Sequence, residues 1–123
     1  MKQGSTADIR EYLKEDGSSP FGIWFDGLDA PAAAKITTVV ARMEHGNLSH
    51  TKPVGKGVYE NKIEFGPGYR IYFANDGKKI IILLGGGTKK GQSRDIRRAQ
   101  EYWKDYKQRK QRSIHHGINE IIP

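Results

Sequence analysis

The chain has 123 residues, enough for one domain with a buried core, and its 36% hydrophobic and 28% charged residues are those of a globular protein. It has no cysteine, no apolar run near the roughly 18 residues of a membrane span, and no apolar leader, so disulfides and thiolate metal sites are excluded and a cytoplasmic location away from membranes is expected. The net charge of +7 is uneven: residues 1–77 hold 9 Lys/Arg against 10 Asp/Glu and residues 78–123 hold 12 against 4, which suits a polyanion or an acidic partner as well as a solvated surface.

The opening stretch, Ala7 to Lys14, mixes Ile9, Tyr12 and Leu13 with charges and reads equally as a strand or a short helix. Asp16-Gly17-Ser18-Ser19-Pro20 is a turn, and Ser18 or Ser19 can cap a helix with Pro20 in its first turn. Phe21, Trp24, Phe25 and Leu28 then make an i, i+3, i+4, i+7 stripe. A second helix starts at the N-cap Asp29, has Pro31 in its first turn and an apolar face of Ile36, Val39, Val40 and Met43, and ends at Gly46 in the left-handed conformation.

From Val54 the period changes, and Val58 to Phe65 reads as a strand. Tyr59, Ile63 and Phe65 alternate with Glu60, Lys62 and Glu64, and after the Gly66-Pro67-Gly68 turn Tyr69, Ile71 and Phe73 alternate with Arg70 and Tyr72. Asn75-Asp76-Gly77 is a hairpin signal. The next strand, Lys79 to Leu84, is apolar on both faces, as a central strand is, and Gly85-Gly86-Gly87 is expected to break the sheet. A last helix runs from near Ser93 to about Gln111, with Ile96, Ala99, Trp103 and Tyr106 inward and Arg97, Arg98, Lys104 and Lys107 outward. The expected architecture is α+β: two N-terminal helices and a C-terminal helix packed on one face of a small antiparallel sheet. Residues 1–111 form one domain and residues 112–123 a loosely ordered tail.

The other sheet face would then carry Lys62, Arg70 and Tyr72, with Lys89-Lys90 at its rim. Neighbouring cations need an anion: either Glu60 or Glu64 neutralises them, or a phosphate backbone does. Gly85 to Lys90 lies between a strand and a helix but is no Walker A motif, so it is either a phosphate-facing loop or a plain glycine loop. His45, His50, His115 and His116 have no metal-ligand spacing, no Ser-His-Asp set is readable, and no metal or cofactor is expected.

The order of motifs resembles a known family. Pro20-Phe21 to Trp24, Leu28, Glu44-His45-Gly46-Asn47, Lys52 to Glu60, Gly66 to Phe73 and Leu83 to Ile96 together are similar to the phage-derived addiction module killer toxins, of the HigB-like branch of the RelE/ParE superfamily, over about residues 7–107. The resemblance implies a toxin held inactive by a cognate antitoxin, usually a helix-turn-helix DNA-binding protein. It also implies either a ribosome-dependent mRNA endonuclease that stops translation or, as in ParE-type members, a DNA gyrase poison without nuclease activity. For the endonuclease it implies a catalytic cluster of Lys62, Arg70, Lys89 and Lys90, with Lys62 crowded by Arg70 as the candidate base. Lys56, Tyr72, Arg94, Arg97 and Arg98 would contact RNA. The chain departs from the family pattern at Asn61, where an apolar residue is common, and it has no histidine or tyrosine firmly at the general acid or base position.

Overall fold

The computed structural model describes residues 6–121, with side chains to residue 113. The order is β1 (Asp8–Glu11), α1 (Pro20–Asp26), α2 (Ala30–Glu44), β2 (Thr51–Pro53), β3 (Tyr59–Ile63), β4 (Tyr69–Asp76), β5 (Ile80–Thr88), a 3-10 turn at Lys89–Gly91, and α3 (Gln92–Ile121). The strands form one five-stranded sheet ordered β1-β5-β4-β3-β2. It is antiparallel except that β1 runs parallel to β5.

Local chemistry sets the helix starts. Ser19 Oγ accepts the Gly22 N–H at 2.9 Å and Asp29 Oδ1 accepts the Ala32 N–H at 2.9 Å, each satisfying a donor that the first helical turn leaves open. Gly46, at φ +90°, follows α2 as expected. α2 buries Ala32, Ile36, Val39 and Met43. The opening stretch resolves as a strand because Asp8 to Glu11 pair with Ile80 to Leu83. β2 has no period to betray it: it is three residues long, and Pro53 at the sheet edge lacks a ladder donor.

Two expectations fail. The helices do not share one sheet face. Phe21, Ile36, Val39 and Met43 of α1 and α2 pack with Ile71, Phe73, Ile81 and Leu83 on one side. Ala99 and Trp103 of α3 pack with Tyr72, Ala74, Ile82 and Leu84 on the other. The cause is β5, whose apolar residues on both faces each need a cover. The sheet face assigned to Arg70 and Tyr72 is therefore covered by α3 and not open to solvent.

The glycines do not break the sheet either. β5 runs through Gly85-Gly86-Gly87 to Thr88, with Gly85 opposite Tyr72, Gly86 opposite Ile71 and Gly87 opposite Arg70. A register shift at Tyr72/Phe73 leaves Leu84 without a partner, a bulge just before the glycines. α3 also continues past Gln111 to Ile121, since no Pro or Gly interrupts it before Gly117. Phe65, expected on the inner face, lies beyond the end of β3 and is exposed.

Candidate functional site

β1 pairs with β5 only as far as Leu83, whose carbonyl accepts the Tyr12 N–H at 2.9 Å. The chain then turns away at Lys14 to Ser18, where Lys14 N–H donates to the Ser18 carbonyl. Beyond that point no strand covers the outer edge of β5 among the described residues. A cavity of about 500 Å³ opens there, between α1 and α3. Its floor is Tyr72, Leu84 and the strand Gly85 to Thr88; its walls are Ile23 and Trp24 on one side and Arg94, Asp95, Arg98 and Tyr102 on the other, with Lys14 at the rim.

The three glycines have different tasks. A Cβ at Gly85 would meet nothing within 4 Å, so this position opens directly into the cavity. A Cβ at Gly86 would collide with the Trp24 ring and one at Gly87 with Asp95 Oδ2. Bare backbone thus lets Trp24 and Asp95 lie on the strand from opposite faces. The Asp95 side chain is 13% exposed and its Oδ1 is 3.6 Å from Arg94 Nε, while Arg94 itself is mostly solvated. The charged lining is three cations and one carboxylate, a net positive surface.

Beneath this floor lies a buried polar group. Arg70 is 4% exposed, and its Nε is 3.6 Å from Glu60 Oε2. The same oxygen accepts from Gln92 Nε2 at 2.7 Å, and Lys52 Nζ stands 3.9 Å from Glu60 Oε1. Arg70 Nε and Nη1 and the Tyr72 hydroxyl make no hydrogen bond. Burial, then the Glu60 and Asp95 carboxylates, push the Tyr72 hydroxyl well above the usual tyrosine range, so it stays protonated. Arg70 and Tyr72 are therefore buried and not solvent-facing, with Tyr72 in the cavity floor. Glu60, and not Glu64, is the carboxylate that stands beside Arg70.

The remaining expected site residues scatter. Lys62 is opposite Arg70 in register, yet it is exposed, 3.4 Å from Glu64, and lines a different cleft. Lys89 and Lys90 are exposed on the turn between the lining residues Thr88 and Gly91. Arg94 and Arg98 line the cavity; Arg97 is exposed on α3 and does not. Lys56, at φ +57°, tips the turn that lays Gly57 against Trp103 and is also outside the cavity. Sequence reasoning missed Lys14, Trp24, Asp95 and Tyr102. The readable signal was Arg94, Arg98 and Tyr102 at i, i+4 and i+8, one helix face directly after a glycine strand.

Among the described residues no three His, Asp or Glu gather as a metal site, and no helix is long and apolar enough to cross a membrane. Residues 23–104 match the model of the family described as "Phage derived protein Gp49-like (DUF891)". An uncharacterized protein of Haemophilus influenzae is 39% identical over 80 residues, which is 64% of this chain and 81% of that relative.

Proposed function

The chain belongs to the family of phage-derived Gp49-like proteins, and from that membership we propose that it is the toxin of a toxin–antitoxin module, of the RelE/HigB-like kind, and cleaves RNA in the groove over β5. Its partners are a cognate antitoxin of the helix-turn-helix type and mRNA on the ribosome, and its place of action is the cytoplasm.

The observation that carries the nuclease reading is Asp95, a shielded carboxylate resting on Gly87 beside Arg94 in a groove otherwise rimmed by cations. Asp95 takes the proton of a ribose 2′-hydroxyl. The 2′-oxygen bonds to the adjacent phosphorus as the 5′-oxygen leaves with a proton from water, and a 2′,3′-cyclic phosphate remains. Arg94 and Arg98 stabilise the charge that builds on the phosphate oxygens. Lys89 and Lys90 take flanking phosphates. Arg70, one layer below, pairs with Glu60 and holds the strand in position, while Tyr72 forms part of the groove floor. Lys62 has no part in this step.

Asp95→Asn keeps the shape of the carboxylate and removes the base. Inducing the chain in cells and mapping mRNA ends by primer extension should give cuts with the native protein, and Asp95→Asn should reduce them by roughly 10²-fold or more. Cleavage by Asp95→Asn at the native rate would refute the assignment.

The exposed basic residues of α3, Arg97 and Lys104, favour one other reading, a DNA gyrase poison that works by binding alone. In that case Asp95→Asn remains fully toxic, no mRNA ends appear, and gyrase–DNA cleavage complexes accumulate.

A further inference from the structure

A second cavity, of about 240 Å³, lies on the α2 side of the sheet, towards its β3 edge. α2 contributes Lys35, Val39 and Arg42, at i, i+4 and i+7, one helix face. The loop before β2 contributes Asn47, Ser49 and His50, and β3 with the residue after it contributes Asn61, Lys62, Ile63 and Glu64. Val39, Asn61 and Ile63 are its buried floor. The lining holds Lys35, Arg42 and Lys62 against one carboxylate, Glu64, which Lys62 already approaches at 3.4 Å. Lys35 and Arg42 make no ion pair among the described residues.

Asn61 holds this cleft together. It is 4% exposed, and burying an amide is costly unless its donors are used. Its Nδ2 donates to the Ser49 carbonyl at 3.1 Å and to Thr51 Oγ1 at 2.9 Å. Lys62 N–H donates to the His50 carbonyl at 3.0 Å, and Asn47 Oδ1 accepts from Ser49 N–H and Oγ. The loop that forms one wall is thereby tied to β3, and a polar core position acquires a purpose that packing does not give it.

We propose that this cleft is a second phosphate-binding site, which grips the backbone of RNA away from the groove where the bond is cut. The chemistry selects the occupant. Unpaired cations at its rim suit a phosphodiester, and the lining holds no Phe, Tyr or Trp on which a base could stack. Binding there is indifferent to sequence. The two sites lie towards different edges of the sheet, with β4 between β5 and β3, so two segments of one larger RNA can occupy both.

The inference rests on the RNA reading of the groove, and the test separates the two. Asp95→Asn protein, which does not cut, is titrated with mixed-sequence single-stranded RNA, followed by fluorescence anisotropy over a range of salt. Adding Lys35→Gln and Arg42→Gln should weaken binding about tenfold, the worth of one charge-assisted hydrogen bond or more, for every sequence alike. The log K against log salt slope should flatten by about 0.7 for each phosphate that is no longer neutralised. Lys35→Arg should keep native affinity. Equal affinity and slope in the double glutamine variant would overturn the cleft while leaving the groove untouched. No RNA binding by the Asp95→Asn protein would overturn both. Inorganic phosphate is the control ligand: if it saturates the amide shifts of Ser49 and His50 while RNA leaves them unmoved, the cleft takes a free anion and the RNA assignment is wrong.

Discussion

At the scale of single residues the buried pair Glu60–Arg70 and the three glycines are the most informative. Removing one partner of a buried ion pair strands the other charge without water. Arg70→Ala should therefore cost about 3–5 kcal/mol in urea unfolding, whereas Glu60→Gln with Arg70→Met should recover most of that loss. A near-native midpoint for Arg70→Ala would show that Glu60 is not dependent on it. The glycines should separate stability from activity. Gly85→Ala is expected to unfold within about 0.5 kcal/mol of the native chain, like a free surface change. Gly86→Ala forces the Trp24 ring off the strand and should cost about 1–3 kcal/mol by overpacking. Gly87→Ala displaces Asp95 and should lose cleavage. Strand parity made Arg70, Tyr72 and Lys62 legible as one polar face, but parity cannot say whether a helix covers that face. Nor can it tell a glycine run that ends a strand from one that makes room for an aromatic ring and a carboxylate.

At the scale of elements, the fastening of α3 decides whether the groove exists, because α3 supplies Arg94, Asp95, Arg98 and Tyr102. Beyond its apolar packing, α3 is tied down by two polar clamps. Tyr12 donates to Asp105 at 2.7 Å and Arg109 Nη2 approaches Asp105 at 2.8 Å; Tyr106 donates to Asp76 at 2.5 Å and Lys110 Nζ at 2.6 Å. The Tyr12 hydrogen bond holds Asp105, and the Lys110 and Tyr106 bonds hold Asp76, below the usual carboxylate range. A folded pKa depressed in this way gives stability that is present above the unfolded value, near pH 4, and lost as pH falls through the lower folded value. Burial, followed by these same carboxylates, pushes Tyr12 and Tyr106 up to about 12, which gives stability lost as pH rises from about 10 toward 12. Urea midpoints should fall at both ends, and Tyr12→Phe with Tyr106→Phe should reduce the alkaline fall to the part that buried Tyr72 contributes. An alkaline fall unchanged in that variant would remove the clamps from the account. The long-range pairs are not readable from sequence, since Tyr12 and Asp105 lie 93 positions apart, whereas Asp105 and Arg109 are an i, i+4 helix pair. The helices themselves were readable, because caps and stripes are local.

At the scale of the molecule, the order of elements from α1 to α3 was legible except for β2, and the layering was not: the C-terminal stripe of Ala99 and Trp103 fits either face of a sheet that is apolar on both. That choice of face turned an expected open surface into two separate cationic clefts. It also placed the two tryptophans differently. Trp24 walls the groove, while Trp103 is buried, stacked on Tyr106 at 5.3 Å. The emission of Trp24 should therefore respond to RNA in the groove and that of Trp103 should not. Asp95→Asn protein titrated with RNA should show a saturable change in tryptophan emission, retained in Trp103→Phe and absent in Trp24→Phe. The double variant at Lys35 and Arg42 should shift the midpoint of that change to higher RNA concentration without altering its amplitude, because the reporter and the second cleft lie on different edges of the sheet. If the change survives in Trp24→Phe, or fails to appear while anisotropy reports binding, RNA does not enter over the glycine strand, and the nuclease reading loses its site.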